Sequence, residues 1–547
     1  MTKLSHIASK TVIIHPGSTL LRIGLAIDEN PKVFLHCIAR EYRKSSNENL
    51  SCFPSRAHSL QYCADNESDM SAFFDGSSHL TSLSIDNRLH EALNKAGSHS
   101  EPSLVTSRSN FIPFLRGFKA VGSGCYKLEW PIASGPFNEE FTPSNCVQDL
   151  EDMWTYAIEH YLNIPKENFH HYSVILLIED VFVRREVRQI VDMLLRNLKF
   201  ARLVVQQASV CATYGVGLPT ACVVDFGFQK TSISCVDEGI SIPDVRVTLP
   251  VGVSDCLRTL HAAMKHHSRD KPLILERLKE IGYQTFPDTK LLFNAMFDAD
   301  TAVTKCLLAQ QLEGNTPSDI TIDIPPEHKQ SLPVASVVGV HLTPYFPKSE
   351  SLLPEYQTPS IEAPEPDDPF DEVYIAATAR EKKRKLQVDV LSARGDDVGT
   401  FDPKISKVQR LSSFKNLAEA IIWSIRQAAA AVAASAIESD VVSASYSDGK
   451  SDHLRQRLLG CILLVGGGAT NLGGHLLSRQ LTRELQQLVG DGSTVEVLLR
   501  PRGVADLAWQ GAKLMLNTDS ISDLWLTPSE WLRYGSRLLR EKAPFPW

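Results

Sequence analysis

No apolar run in the chain approaches the ~20 residues needed to cross a bilayer. The longest candidate, Ala428 to Ala434, reads as a short Ala-rich helix. The opening residues, MTKLSHIASK, hold no apolar core of the kind a secretory leader carries, so secretion is not expected. The 11 cysteines are scattered without a single CxxC pair. That disfavours a structural zinc site and a secreted disulfide framework, and it points to a reducing compartment, cytosol or nucleus. An excess of positive charge is missing too: 56 Lys and Arg against 64 Asp and Glu leave a formal net charge of −8. This excludes a surface coated in basic charge for wrapping nucleic acid, though not a local basic patch. Apolar residues are not in short supply. At 43% hydrophobic and 22% charged, the chain has ordinary globular usage and is neither disordered nor fibrous as a whole. Its 547 residues are too many for one core, and about 100–200 residues per domain implies two to four structural units.

Composition changes along the chain. Residues 11–43, beginning TVIIHPGSTLLRIGLAI, read as strands joined by a turn. Residues 44–124 are Ser-rich with weak periodicity and read as an insertion, partly disordered. In DLEDMWTYAIEHYL (149–162), Leu150, Met153, Trp154, Ala157, Ile158 and Tyr161 recur at helical spacing. HYSVILLIED (171–180) is a buried strand, VRREVRQIVDMLLRNL (183–198) an amphipathic helix, and ARLVVQQ (201–207) another strand. SVCATYGVG (209–217) is a helix ending in Gly; TACVVDFG (220–227) and TSISCVDEG (231–239) are strands flanking a tight turn at Phe228-Gln229-Lys230. Residues 256–312 read as mostly helical. Residues 350–372 carry eight carboxylates, five prolines and no basic residue. They cannot bury enough apolar surface to offset ordering entropy, and so read as a solvated loop. The basic run Arg380-Glu381-Lys382-Lys383-Arg384-Lys385 follows closely. LAEAIIWSIRQAAAAVAASAI (417–437) is a helix, SYSDGKSD a polar linker, and CILLVGGGATNLGGHLLSRQLTREL (461–485) a strand, Gly-rich turn and helix.

Two strand–turn–strand units, at 11–27 and 220–236, carry Gly near the turn and small or hydroxyl residues after it; a third Gly-rich turn lies at 466–468. Such turns expose backbone N–H groups that can cradle phosphate oxygens. One alone is more often a tight connection. Three of them, with two hairpins in the same style, suggest two similar α/β lobes facing each other across a nucleotide cleft.

On these motifs the chain resembles the actin superfamily, over roughly 11–43, 126–345 and 411–547. IIHPGSTLLRIG and VVDFGFQKTSISCVDEG look like actin's two phosphate-binding hairpins. VVQQASVCATYG is similar to the segment with actin's water-positioning glutamine, here Gln207, and LKE to the helix whose Lys and Glu contact adenosine, here Lys279 and Glu280. LLVGGGATN resembles the adenosine-binding turn, while WPI (130–132) and AWQGAKL (508–514) match the framework. IIHPGST, SVCATYG and the ending DLWLTPSEWLRYGSRLLREKAPFPW resemble the nuclear actin-related branch more than actin itself.

The resemblance implies an actin-like α/β fold: two lobes of duplicated, ribonuclease-H-like architecture around a nucleotide cleft, with two large insertions. Lobe one would be 1–214 with 507–547, its small subdomain holding a 44–125 Ser-rich insertion; lobe two would be 215–506, with a small helical subdomain at 256–332 and a flexible acidic/basic insertion at 346–410. The implied nucleotide contacts are Gly17, Ser18, Thr19, Gln207, Asp225, Gly227, Lys279, Glu280, Gly466, Gly467 and Gly468, with no catalytic residue and no protein-held metal. The departures concern hydrolysis. Where actin's first hairpin has an acidic residue that holds Mg²⁺ through water, this chain has His15. The second hairpin keeps Asp225 but has Phe228 at its second acidic position and Ser232 in place of a water-positioning histidine. Hydrolysis needs a metal and an oriented water, so the ligand expected is ATP or ADP, not hydrolysed, with Mg²⁺ left open.

Plainer readings stand beside these. His15 is also a neutral turn histidine, Phe228 a packing residue or a block to a phosphate, Asp225 a turn residue bonding nearby amides, and Lys279 with Glu280 a solvated helix face. Arg380 to Lys385 reads as a solvated charge run or as a localisation or DNA-contact element. The implied role is a non-catalytic subunit of an Ino-eighty type chromatin-remodelling complex in the nucleus. The implied partners are nuclear actin, another actin-related protein, the helical actin-binding region of the remodelling ATPase, core histones, and nucleosomal or linker DNA, with no membrane. Transcription regulation, DNA repair and recombination follow from the same resemblance. The alternatives are an active ATPase or sugar-kinase relative, which would need metal carboxylates at both hairpins, and a cytoskeletal filament or capping protein, whose repeated contacts the two insertions would disturb.

Overall fold

The computed structural model describes residues 3–41, 111–114, 126–249, 251–256, 341, 414, 416–438, 444–471, 475–490, 493–500 and 503–545. Chain contacts define two units, Met1–Pro344 with Asn416–Trp547, and Tyr345–Lys415. Every element described below belongs to the first. All but the first residue of the expected helices at 256–312, both members of the Lys279–Glu280 pair, the acidic run 350–372 and the basic run 380–385 lie outside the described residues, as does nearly all of 44–124.

The first half begins with α1 (Lys3–Ser9) and the strands β1 (Thr11–Pro16), β2 (Leu20–Leu25), β3 (Lys32–Leu35) and β4 (Ile38–Glu41). Next come β5 (Phe111–Pro113), β6 (Tyr126–Glu129), α2 (Pro143–Tyr161), β7 (Ser173–Ile178), α3 (Arg184–Asp192), β8 (Arg202–Gln207) and α4 (Ala208–Val216). One sheet has the order β3-β2-β1-β7-β8, with β1, β7 and β8 parallel to one another and the β1–β2 pair antiparallel. The second half contributes β9 (Ala221–Phe226), β10 (Thr231–Asp237), β11 (Ile240–Ser241), β12 (Val247–Leu249), α5 (Leu417–Glu438) and α6 (Ala444–Leu459). It continues with β13 (Ile462–Val465), α7 (Gly466–Asn471), α8 (His475–Val489) and β14 (Val497–Leu498). Its sheet runs β11-β10-β9-β13-β14, with β12 on β10; again a hairpin is followed by two parallel strands. The two sheets therefore repeat one topology, as the duplicated actin-like fold requires.

Central parallel strands are covered on both faces, so β7 (SVILLI) and β13 (ILLV) are wholly buried and nearly continuously apolar. Alternation then sorts their side chains. Val12, Ile14, Val174 and Leu176 join a core with α2, α3 and the C-terminal elements, whereas Ile13, Ile175 and Leu177 join a second core with Val223, Leu463, Val465, α4 and α9 (Leu507–Met515). This second core joins the halves. Helices α4 and α9 approach so closely that their glycines touch backbone: a Cβ on Gly215 would lie 2.5 Å from the Leu507 carbonyl oxygen.

The helix expected at 149–162 begins earlier, at Pro143. Thr142 caps it by accepting from the Asn145 amide at 3.3 Å, and proline suits the first helical position. The helix at 209–217 ends as expected, with Gly217 in the left-handed region at φ 72°. Two sequence readings need correction. Residues Phe111–Pro113, inside the stretch read as an insertion, form β5 and pair with β4. SYSDGKSD is not a linker but the first half of α6; Leu454 and Leu458 anchor that helix in the interior, and tertiary packing overrides the weak propensity of its Ser, Asp and Gly residues. The long ending docks on the first sheet. Leu526 bridges to Leu203, α10 (Pro528–Tyr534) starts in a capping box between Thr527 and Glu530, and Trp531 Nε1 donates to Asp192 at 3.1 Å; α11 (Arg537–Lys542) follows. Among the described residues no helix is long and apolar enough to cross a membrane.

Candidate functional site

The two hairpins turn in the same way. In the first, the Gly17 amide donates to the Leu20 carbonyl at 3.0 Å; in the second, the Gly227 amide donates to the Lys230 carbonyl at 2.9 Å. A Cβ on either glycine would lie 2.9 Å or 2.8 Å from that acceptor, closer than real Cβ contacts come. Both turns sit at the carboxyl ends of their first strands, β1 and β9, and line one cavity with the third Gly-rich segment, Gly466 to Gly468. In open α/β sheets that edge is where ligands bind.

The third segment differs from its expected form, because the glycine triplet is itself the first turn of α7. Gly466 has φ 92°, and a Cβ there would meet Asp225 Oδ1 and the Phe226 carbonyl; one on Gly468 would lie 2.7 Å from the same carbonyl. Glycine is needed because β13 enters α7 directly against the backbone of β9.

Charges surround the cavity. Glu179 and Asp180 follow the end of β7, Arg22 stands on β2, and Asp225 and Lys230 belong to the second hairpin. Glu179 pairs with Lys230, and Arg22 Nε donates to Asp506 Oδ1 at 2.9 Å. Asp180 accepts from the Ser209 hydroxyl. Burial, and then the Glu179 charge, push the Asp225 carboxyl up to about 6, and burial raises Glu179 as well. Burial, and then Arg22, lower His15 to about 3, so the ring is neutral; among the described residues its buried Nδ1 has no hydrogen-bond partner. Among the described residues no three His, Cys, Asp or Glu side chains are placed to hold a metal together.

Of the expected contacts, Gly17, Ser18, Thr19, Asp225, Gly227, Gly466, Gly467 and Gly468 come together around the cavity. Gln207 does not join them. It is fully buried behind the wall, and its amide lies against Arg246 and the Asp180 carbonyl. Phe228 does line the cavity, with its carbonyl accepting from the Ser254 amide at 2.8 Å. Lys279 and Glu280 lie outside the described residues. Sequence reasoning missed Arg22, Glu179, Asp180 and Lys230. The acidic pair had a signal, since two carboxylates at the carboxyl end of an apolar strand face the ligand edge.

Thr19, 5% exposed, is among the lining residues, and among the described residues its hydroxyl has no partner. A buried hydroxyl without a partner is costly unless a ligand or water satisfies it. Two cations, Arg22 and Lys230, stand beside the glycine turns, each paired with a carboxylate, Asp506 and Glu179.

Comparison with known proteins adds the family context. A family model described as Actin matches residues 7–277. The chain is similar to actin-related protein 8 from Bos taurus, 28% identical over 604 residues covering 98% of this chain and 92% of that protein. It is similarly related to actin-related protein 8 from Aedes aegypti, at 28% over 611 residues covering 99% and 98%, and to that from Homo sapiens, at 27% over 609 residues covering 98% and 92%. Among solved structures, human actin-related protein Arp8 in its ATP-bound state superposes with a TM-score of 0.60 at 22% identity, covering 99% of this chain and 97% of that one.

Proposed function

We propose that this actin-fold chain, similar along nearly all its length to actin-related protein 8, binds ATP or ADP between its two sheets as a structural ligand and does not turn it over. The observation that carries this reading is the convergence of two matching glycine turns and the Gly466–Gly468 triplet on one cavity walled by both halves. The glycine turns, Ser18 and the cations Arg22 and Lys230 line it, a set that suits phosphate oxygens. The human relative's structure is that of an ATP-bound state, and the same ligand is the natural candidate here. A ligand that binds only the closed form stabilises it by RT ln(1+[L]/Kd), about 2.7 kcal/mol at a hundredfold excess over Kd.

Three features argue against hydrolysis. His15 is neutral where the family's first hairpin carries an acid; Phe228 occupies the second acidic position; Gln207, the residue that would orient water, is held by Arg246 away from the cavity. Millimolar ATP is expected to raise the melting temperature. A midpoint that ATP and ADP both leave unmoved would sink the ligand reading.

The cellular role proposed is a non-catalytic subunit of a nuclear, Ino-eighty type remodelling complex. It would sit with nuclear actin, a second actin-related protein and the helical actin-binding region of the remodelling ATPase, and help to engage histones and nucleosomal DNA. The support is the similarity to actin-related protein 8. Affinity purification from nuclear extract tests it: those subunits should co-purify, and recovery of cytoskeletal partners alone would contradict the assignment.

A further inference from the structure

The two hairpins are alike in their turns but differ in what holds them from behind. In the second hairpin the Gly227 carbonyl accepts from a backbone amide, that of Val253, at 3.1 Å. In the first, the corresponding Gly17 carbonyl faces a side chain, His36 Nδ1, at 2.7 Å. His36 lies between β3 and β4 and is fully buried; its own amide donates to the Thr19 carbonyl at 2.8 Å. Behind it, Trp154 Nε1 of α2 donates to His36 Nε2 at 3.1 Å. An indole N–H only donates and a carbonyl only accepts, so the two neighbours fix one tautomer: hydrogen on Nδ1, lone pair on Nε2. Burial lowers the ring to about 4 and keeps it neutral at physiological pH.

We propose that His36, set by Trp154, is a positioning residue for the nucleotide phosphates: it locks the first hairpin's Gly17–Thr19 turn in the shape in which that turn lines the cavity. This rests on the nucleotide reading above. The Gly17 amide, the Gly17 carbonyl and the Thr19 carbonyl are all committed to protein partners, while Gly17, Ser18 and Thr19 line the cavity. The second hairpin owes its hold to main chain, which no side-chain substitution removes. The first adds to its main-chain bonds one imidazole set by one indole, so its ligand geometry answers to single substitutions 118 residues apart.

The test measures ATP and adenosine affinity in the full chain for wild type, His36→Asn, His36→Leu and Trp154→Phe. Asn can place an amide N–H near the Nδ1 position; Leu cannot donate; Phe keeps the bulk behind His36 and removes only the donor. His36→Leu should weaken ATP by about five- to tenfold, the worth of one ordinary hydrogen bond. Trp154→Phe should weaken it by about threefold, and His36→Asn should restore most of the His36→Leu loss. Adenosine, which has no phosphate, should bind all folded variants alike. If His36→Leu does not fold, the other two variants decide the matter. Equal ATP affinity across the folded variants overturns the inference, and so does a parallel loss for adenosine, which would mark a merely structural role. A wild type that binds neither ATP nor adenosine instead overturns the nucleotide reading itself.

Discussion

Replacing Gly511 with alanine probes the joint between the two halves. A Cβ at Gly511 would lie 1.6 Å from the Cys211 carbonyl oxygen and 2.8 Å from the Gly215 amide nitrogen. Both obstacles are main chain of α4, so no rotamer change relieves them; the helices themselves must separate by well over an ångström. Overpacking a core that can shift its side chains costs about 1–3 kcal/mol. Here the adjustment would also loosen Ala508, Trp509 and Ala512 of α9 from Cys211 and Ala212 of α4, all buried in the core between the sheets. We therefore expect a loss of about 3–5 kcal/mol, beyond the usual range for such insertions. The built-in control is Gly449→Ala. Gly449 is exposed in α6 with no atom of the described residues within 4 Å of a Cβ, so alanine there should stabilise by about 0.5–1 kcal/mol through helix propensity alone. Urea unfolding followed by tryptophan fluorescence reads both, Trp509 being fully buried at this joint. If Gly511→Ala unfolds at the same urea concentration as wild type, the backbone contact between α4 and α9 is not as described and the reasoning fails.

Other consequences follow from the charges. His36 and His341 are buried and lowered to about 4 and about 3 by desolvation, so the unfolded chain takes up protons below about 6.5 that the folded one refuses. Their contribution is present above that pH and lost as pH falls towards 4, about 3 kcal/mol for His36 alone; the urea midpoint should fall in this window, and less steeply in His36→Asn. Asp225, raised to about 6, has the opposite sign: its ionisation burdens the ligand-free fold at pH 7 and the burden lifts as pH falls through about 6, so Asp225→Asn should raise the neutral-pH melting temperature of the ligand-free protein. Lys230→Met leaves Glu179 facing Asp225 without its cation, and should cost about 1–3 kcal/mol, discounted for the partial exposure of Glu179; the double variant with Glu179→Gln should recover most of the loss.

Much of this architecture was legible in local patterning. β7 and β13 are short apolar runs because both their faces are covered, and α4 announces its end with Gly217. The shared hairpin turn is visible as a glycine near the turn with small or hydroxyl residues after it, and its atomic repeat bears out the duplicated fold. What stayed hidden depends on contacts across the chain. Arg22 finds Asp506 484 positions away, and the His36–Trp154 pair spans 118, separations at which no sequence period survives. The α6 helix was misread because Ser, Asp and Gly favour turns locally while Leu454 and Leu458 act only once the core exists. Gln207 matched its motif in sequence, but Arg246 decides where its amide goes.

The central claim is that the cleft holds a nucleotide without consuming it. The direct measurement is to load the purified chain with ATP, remove free nucleotide by gel filtration, and identify what the protein retains after several hours. The account predicts close to one nucleotide per chain, recovered as ATP, with no turnover approaching the ~1 per second or faster of an ordinary enzyme. Recovery of no nucleotide would contradict binding in the cleft, and recovery of ADP with released phosphate would contradict the reading of His15, Phe228 and Gln207 as a site unable to hydrolyse.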